Sequence, residues 1–439
     1  MARRRRKKLP TEPVAATIES ISHEGRGIAR LDGKTVFIDG ALPGEEVMFV
    51  YTSRRAKFDE GCVTEITKAS TDRVEPVCPH FLLCGGCSIQ HMSPAMQRAH
   101  KESVLIDQFK HLAELDIPEI IPPLTSENTA YRRKARLGVR FVIKKDKLLV
   151  GFREKNSGYL TDMSVCKVLH ESVGERLELL QSLIRSMESY RKIAQIEVAV
   201  GDNHTTLVFR NLEELIPGDI ALLRSFANDT GLHVWLQPQG PDTASPLWPE
   251  ESQLVYALPD YDVSYEFLPT DFTQVNADMN KKMVKQAIEL LEVNENSKVL
   301  DLFCGIGNFS LPLARNSKQV VGIEGSEILV ARAKKNALRN SINNIEYLAA
   351  DLTKEIPVEI KGVDRMLLDP PRTGALEVVS RMKEIGPERI VYVSCNIATL
   401  ARDAGELVKN QGYRLCSAGI MDMFPHTSHV ESMAVFEKV

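Results

Sequence analysis

Residues 298–308 read Lys298-Val-Leu-Asp301-Leu-Phe303-Cys-Gly305-Ile-Gly307-Asn308, a short apolar run that ends in an acid and then bends at two closely spaced glycines. A strand running through a glycine turn into a helix is where open α/β sheets bind nucleotides, beyond the carboxyl ends of their strands. From this point apolar runs and helical stretches alternate regularly, which implies a parallel sheet. The expected strands are 298–303, 319–323, 345–349, 365–368, 389–393, 413–421 and 431–437. No helix-length connection separates the last two, so the final strand is expected to run antiparallel to its predecessor.

Six parallel strands with an antiparallel hairpin at the end describe the Rossmann-like α/β sheet of the class I methyltransferases. The glycine turn is read against its alternatives. The stretch Gly305-Ile-Gly307-Asn-Phe-Ser310 lacks the third glycine of a dinucleotide fingerprint, and no Walker A sequence occurs in the chain. Asp301, four residues before Gly305, instead fits S-adenosylmethionine (SAM), whose amino-acid end and adenosine lie across such a turn. Glu324, ending the second strand, can accept hydrogen bonds from both ribose hydroxyls. Asp351 follows the third strand, where the adenine amino group needs an acceptor. Each acid alone reads equally well as an ordinary strand-end carboxylate; their repetition after successive strands carries the SAM reading.

Two further strand ends bear on the methyl acceptor. The fourth ends in Asp369-Pro-Pro-Arg372, the fifth in Ser394-Cys395-Asn396. A thiol at this edge is either a nucleophile or a buried, inert cysteine. Enzymes that methylate exocyclic amines place an aromatic residue after Asp-Pro-Pro to stack on the base, and Arg372 stands there instead. Cysteine-dependent cytosine methylation typically has a second cysteine after the prolines. Carbon 5 of uracil remains. It is a poor nucleophile until a thiolate adds to carbon 6, and after methyl transfer a base must remove the carbon 5 proton before the thiol can leave.

Together with Phe272-Thr-Gln274-Val-Asn276 and Asp422-Met-Phe-Pro-His-Thr-Ser-His-Val-Glu431, these blocks closely resemble the RNA uracil-5 methyltransferases, over nearly the whole chain. The resemblance implies Cys395 as nucleophile and Glu431 as proton-abstracting base. It implies Gln274, Phe303, Asn308, Glu324, Asp351 and Asp369 as SAM-site residues. Topology supports Glu431 independently, because the start of an antiparallel strand faces the same edge as the ends of its parallel neighbours. His426 and His429 are weaker rival bases. The implied substrate is a specific uridine of 23S rRNA, the N-terminal barrel and cysteine cluster favouring rRNA over tRNA. A non-catalytic RNA-binding assembly factor is the reading of another class, and the intact Cys395, Glu431 and SAM motif argue against it.

Upstream, residues 10–70 show short alternating runs separated by glycine turns, the pattern of a small closed barrel. Gly25-Arg-Gly-Ile-Ala and Leu42-Pro-Gly-Glu-Glu-Val resemble a TRAM domain, an OB-like RNA-binding barrel. Residues 71–255 are expected to form an α+β central domain, and 256–439 the methyltransferase domain. A helix is expected over 93–115, then a proline-rich linker at Ile121-Pro-Pro, mixed strands and helices (one helix over 173–189), and a loop over 241–249.

Cys78, Cys84 and Cys87, with the distant Cys166, supply four thiolates suited to tetrahedral zinc or an iron–sulfur cluster, and His80 or His91 could enter a zinc site. The family resemblance implies a 4Fe–4S cluster held by all four cysteines. A disulfide framework is improbable for eight unevenly spaced cysteines in a chain without an export signal.

Net charge is −4, but it is unevenly distributed. Thr125 to His170 holds 11 Lys/Arg against 4 Asp/Glu, whereas Glu171 to Leu300 holds 10 against 21. A basic segment in an acidic chain suggests a surface for a polyanion, with Arg132, Arg133, Lys134, Arg136 and Arg140 as candidate phosphate contacts. The alternative is a basic face that balances acidic neighbours. Arg3 to Lys8 reads as a solvated basic arm, either a solubility tail or a phosphate contact. No apolar segment follows it and no run approaches the ~20 residues of a membrane span, so a cytoplasmic protein is expected; a monomer without an obligate protein partner is expected as well.

Overall fold

The computed structural model describes residues 9–352, 354 and 362–439, and the basic arm lies outside them. The chain forms two compact units. One comprises residues 9–104 with Arg153–Tyr159 and Phe424–His429; the other comprises Leu105–Phe152, Leu160–Met423 and Val430–Val439.

In the first unit six strands (Val14–Thr17, Ser20–Ile21, Gly27–Leu31, Lys34–Asp39, Glu46–Arg54 and Phe58–Lys68) form one sheet. Alternation puts Ala29, Val36, Ile38, Val47 and Phe49 into a shared core while their sequence neighbours face outward. The hairpin between the third and fourth strands turns at Asp32-Gly33, both with positive φ (50° and 76°), as a tight two-residue turn requires. A helix begins at Pro94, its first turn held by the Ser93 hydroxyl, which accepts from the Met96 N–H at 3.2 Å.

The second unit is built on an eight-stranded sheet. Its order is Ile345–Ala349, Gln319–Glu324, Lys298–Leu302, Arg365–Leu368, Arg389–Ser394, Glu431–Lys438, Tyr413–Met421 and Ile120–Leu124. The first five are mutually parallel. Glu431–Lys438 inserts antiparallel to both its neighbours, as the short connection predicts. The central strands are apolar almost throughout because helices cover both faces.

The eighth strand corrects the sequence reading. The proline-rich stretch at 120–124 is no linker but pairs parallel with Tyr413–Met421. An edge strand needs N–H donors on one side only, so prolines are tolerated there. Ser245–Trp248 is a similar case: within the expected loop 241–249 it forms the edge of a second, six-stranded sheet, antiparallel to His233–Leu236. The expected helix 173–189 is broken into Glu171–Gly174 and Leu177–Ser186. At the break, a Cβ on Gly174 would lie 2.4 Å from the Cys166 carbonyl oxygen. Among the described residues no helix is long and apolar enough to cross a membrane.

Candidate active site

The strand Lys298–Leu302 is buried from its second residue onward and delivers Asp301 into the sheet interior. Asp301 accepts a hydrogen bond from the Ser310 hydroxyl in the following helix, which fixes the span of the turn between them. Burial pushes the Asp301 carboxyl up to about 7, opposed by the Ser310 hydrogen bond and reinforced by the charges of Asp369 and Glu324. The turn itself uses the left-handed region three times, at Phe303 (φ 65°), Gly305 (φ 55°) and Gly307 (φ 93°). At Gly307 a side chain is excluded by packing as well, since its Cβ would come within 2.5 Å of the Tyr347 hydroxyl.

Glu324, at the end of the neighbouring strand, braces this turn from below. Its carboxylate accepts from the N–H of Gly305 and from the N–H of Ser326, each at 3.1 Å. Asn308 sits past the second glycine. Its side-chain amide pairs reciprocally with that of Asn280 at 3.0 and 2.9 Å and accepts from the Tyr256 hydroxyl at 3.0 Å. Tyr256 stacks on Tyr265 with centroids 4.5 Å apart, and Tyr265 donates to the Asn308 carbonyl at 3.1 Å. Gln274 lines a cavity with Tyr256 and Asn280, so it shares neighbours with Asn308. Asp351 follows the third strand as expected, exposed, and pairs with Lys354 at 2.9 Å.

Tyr256 and Asn280 were not singled out from the sequence. An isolated tyrosine and a helix-borne asparagine carry no local signal, and their meeting at Asn308 depends on tertiary packing alone.

Asp369 is partly buried at the end of the fourth strand, where burial raises its carboxyl to about 7. The loop it opens is tied to the next strand end. Asn396 donates from its side-chain amide to the Arg372 carbonyl at 2.9 Å and caps the helix Ile397–Asn410 by accepting from the Ala398 N–H at 3.2 Å. Ser394 brackets the intervening residue: its hydroxyl accepts from the Asn396 N–H and donates to the Asn396 carbonyl, both at 3.1 Å. Buried Asp403 adds a second tie, accepting from the Ala375 N–H at 2.8 Å and the Tyr392 hydroxyl at 2.7 Å. Cys395 is therefore held on a rigid strand-to-helix corner, partly exposed, beside a helix N-terminus.

Opposite it stands Glu431. Ser394 and Ser432 are Cα partners where the antiparallel ladder ends; Cys395 follows the first and Glu431 precedes the second, and the Glu431 charge acts on the Cys395 thiol. Glu431 is 7% exposed, and its carboxyl is pushed up to about 8 by burial and by Asp369, with Arg372 opposing. The Cys395 thiol is likewise raised, by burial first, then by Glu431 and Asp369, again opposed by Arg372. The Glu431 charge thus disfavours the Cys395 thiolate, Asp369 disfavours the charge of both groups, and Arg372 favours it in both.

The rival bases both belong to the first unit. His426 belongs to the first unit, buried, where its N–H donates to Gln97 Oε1 at 2.8 Å and its Nδ1 faces Gln97 Nε2 at 3.3 Å. His429 is exposed, its ring 5.8 Å from that of Phe424.

No disulfide is formed among the described residues. Cys78, Cys84 and Cys166 are buried and Cys87 is partly so. Among the described residues no three His, Cys, Asp or Glu side chains form a group that could hold a metal ion.

The basic segment divides along its strand. Arg133 pairs with Asp202 at 2.5 Å, while Lys134 and Arg136 reach Glu197 at 3.3 and 3.5 Å. For Arg133 and Lys134 the balancing role read as the alternative accounts for the charge. Arg136 and Arg140 alternate outward with Ala135, Leu137 and Val139 inward. These two remain presented to solvent.

Comparison with known proteins agrees with this geometry. Residues 95–439 match the family described as tRNA (Uracil-5-)-methyltransferase, and residues 10–48 match the TRAM domain. The chain is 51% identical to a protein of Hahella chejuensis and 52% identical to one of Alcanivorax borkumensis, each over 99% of both chains. Both carry the name 23S rRNA (uracil(1939)-C(5))-methyltransferase RlmD. Among solved structures, the tRNA (uracil-54, C5)-methyltransferase of Pyrococcus abyssi, in complex with S-adenosyl-L-homocysteine, covers 96% of this chain and is itself covered in full. It superposes with a TM-score of 0.75 at 24% identity, a likeness of fold.

Proposed function

Since the chain belongs to the uracil-5 methyltransferase family, we propose that it methylates carbon 5 of a specific uridine in 23S rRNA. That it is a SAM-dependent uracil-C5 methyltransferase follows from the family; the choice of 23S rRNA follows the names of its full-length relatives. The observation that supports the mechanism is the antiparallel pair Ser394–Ser432, which brings the neighbouring Cys395 and Glu431 to the same edge of the sheet.

In this reading the Cys395 thiolate forms a bond to carbon 6 of the uracil, and the electron pair displaced moves to carbon 5. SAM, when bound, supplies an electrophilic methyl group to that carbon. Glu431 then takes the carbon 5 proton, the carbon 6–sulfur bond breaks, and the electron pair returns to Cys395. The raised pKa of Glu431 suits a base that must accept a proton from carbon, and Arg372 stabilises whichever of the two groups is anionic. Phe303 and Glu324 on the glycine turn, Asn308 and Gln274 beside it, and Asp351 and Asp369 at the next strand ends are the residues assigned to hold SAM. The left-handed turn and the Glu324 carboxylate beneath it fit an adenosine and ribose laid across that edge.

The reading divides the chain into a TRAM barrel (10–70), a central domain (71–255) and the methyltransferase domain (256–439), acting in the cytoplasm as a monomer. A 4Fe–4S cluster on Cys78, Cys84, Cys87 and Cys166 belongs to the same reading. Its support is a donor set of four cysteines, three of them buried. Because no metal-holding group is gathered among the described residues, no catalytic step is derived through a cluster. Anaerobically purified protein should carry about four iron and four sulfide per chain; stoichiometric zinc in its place removes the cluster from the account.

The substrate is tested by mass mapping of 5-methyluridine in cells lacking the protein. Loss of one 5-methyluridine from 23S rRNA with tRNA unchanged is the expected result. Loss from tRNA alone transfers the activity to tRNA.

A further inference from the structure

The glycine turn is held from one side by a two-stranded ribbon that the mechanism has not used. Leu254–Leu258 and Val263–Phe267 pair antiparallel with Tyr256 directly opposite Tyr265, so the two rings stand on one face and stack. The ribbon is pinned to the helix Glu327–Arg339 and its cap. Asn340 accepts from the Ser264 N–H at 2.8 Å and donates to the Ser264 carbonyl at 2.7 Å. Asn336, fully buried, accepts from the Glu266 N–H at 2.9 Å, and its amide also reaches the Ile306 carbonyl of the turn at 3.4 Å. From this fixed frame both tyrosine hydroxyls reach Asn308, Tyr256 at the side chain and Tyr265 at the carbonyl.

The hydrogen-bonding capacity of the Asn308 amide is nearly all used. Its Oδ1 accepts from Tyr256 and from Asn280 Nδ2, each at 3.0 Å, which fills both lone pairs. Its Nδ2 gives one hydrogen to Asn280 Oδ1 at 2.9 Å, and among the described residues nothing takes the other. The reciprocal pair with Asn280 alone would satisfy either orientation of the amide. Tyr256 removes that degeneracy. With the amide reversed, Nδ2 would meet the hydroxyl oxygen, and the hydroxyl hydrogen would be left without an acceptor among the described residues. Asn308 therefore keeps one N–H donor to offer, on a partly exposed side chain at the turn.

We propose that Tyr256 and Asn280 are positioning residues for SAM: together they orient the Asn308 amide so that it offers a donor, and not an acceptor, to an oxygen of the cofactor. The inference rests on Asn308 being a SAM-site residue. Tyr256 acts through that amide, so loss of its hydroxyl should weaken SAM binding and leave the chemical step alone. One neutral hydrogen bond of this kind typically moves an equilibrium constant about threefold to tenfold.

The test is a double-mutant cycle in the full-length protein, with Tyr256→Phe, Asn308→Ala and the two combined. Tyr256→Phe keeps the ring that stacks on Tyr265 and removes only the hydroxyl. Calorimetry reads the Kd for SAM, and methylation of 23S rRNA transcripts reads KM for SAM and kcat. Tyr256→Phe should raise both Kd and KM about threefold to tenfold, with kcat at saturating SAM within about twofold of wild type. In the Asn308→Ala background the same change should have no further effect, because the side chain through which Tyr256 acts is gone. Asn280→Ala, which removes both bonds of the reciprocal pair, should weaken SAM binding at least as much as Tyr256→Phe.

A fall in kcat without a rise in KM, or an equal loss in the Asn308→Ala background, overturns the proposal. If Asn308→Ala itself binds SAM as the wild type does, the assignment of Asn308 fails and the inference with it. If Asn308→Ala weakens SAM binding and Tyr256→Phe does not, only the inference fails.

Discussion

Replacing Glu431 by glutamine should make the protein more stable at alkaline pH while it stops turnover. Burial and the neighbouring Asp369 raise the Glu431 carboxyl from 4.5 to about 8. The folded state therefore binds this proton more tightly than the unfolded state does. The stability it contributes is fully present below pH 4.5 and is lost as pH rises through about 8. At ~1.4 kcal/mol per pKa unit, ionisation of this one group removes on the order of 4 kcal/mol at pH 8 and ~1 kcal/mol at pH 5. Glutamine does not titrate, so its advantage over glutamate should grow between those two pH values by roughly 2–4 kcal/mol, the lower figure allowing for coupling to Asp369. Comparing pH values cancels any fixed difference in packing between the two side chains. Thermal unfolding of both proteins at pH 5, 6, 7 and 8 should show the gap in Tm widening by on the order of 2–4 °C. A gap that stays flat across this range would refute the reasoning, because Glu431 would then carry an ordinary carboxyl pKa and would not be poised as a base.

The remaining expectations concern the nucleophile, the RNA surface and the pH profile. Cys395→Ala should abolish methylation while SAM binding, measured by calorimetry, stays within about twofold, since the thiol acts on the base and not on the methyl donor. Neutralising Arg136 and Arg140 should flatten the salt dependence of RNA binding by ~0.7–0.9 in the log–log slope for each phosphate left without its cation; an unchanged slope places the phosphate-binding surface elsewhere. Lys134→Ala should instead cost on the order of 1 kcal/mol of stability, read by thermal unfolding, because buried Glu197 loses its nearer cation and keeps only Arg136 at 3.5 Å. The rate of adduct resolution should rise with pH and level off above about 8, where the Glu431 carboxyl is ionised and able to accept the proton.

The edge that carries the candidate site was legible because strand–helix alternation is a periodic signal and most of the candidate residues stand at strand ends. Once 298–303, 319–323, 345–349, 365–368 and 389–393 are read as parallel strands, Glu324, Asp351, Asp369 and Cys395 share an edge by topology. The antiparallel return adds Glu431, and the ladder between Ser394 and Ser432 agrees with that expectation. Less was legible where tertiary context outweighs local pattern. Pro122 and Pro123 read as a linker because proline argues against a central strand, yet the sheet accepts them at its edge. The charge count at 125–170 pointed to a polyanion surface but could not show that Asp202 and Glu197, distant in sequence, neutralise Arg133 and Lys134. Nor does any local signal at Gln97 or Ser88 point to His426, more than three hundred residues away.

The central claim, that Cys395 and Glu431 divide the reaction into addition and elimination, is tested most directly by Glu431→Gln acting on unmodified RNA. The amide keeps the size of the side chain and its capacity for hydrogen bonds but cannot take the proton. Addition and methyl transfer should proceed and elimination should stall, leaving protein and methylated RNA covalently joined. A denaturing gel should show a slower band that requires both SAM and Cys395, with peptide mass analysis placing the link at that cysteine. Free 5-methyluridine released at the wild-type rate would contradict the account and bring His426 or His429 forward as the base.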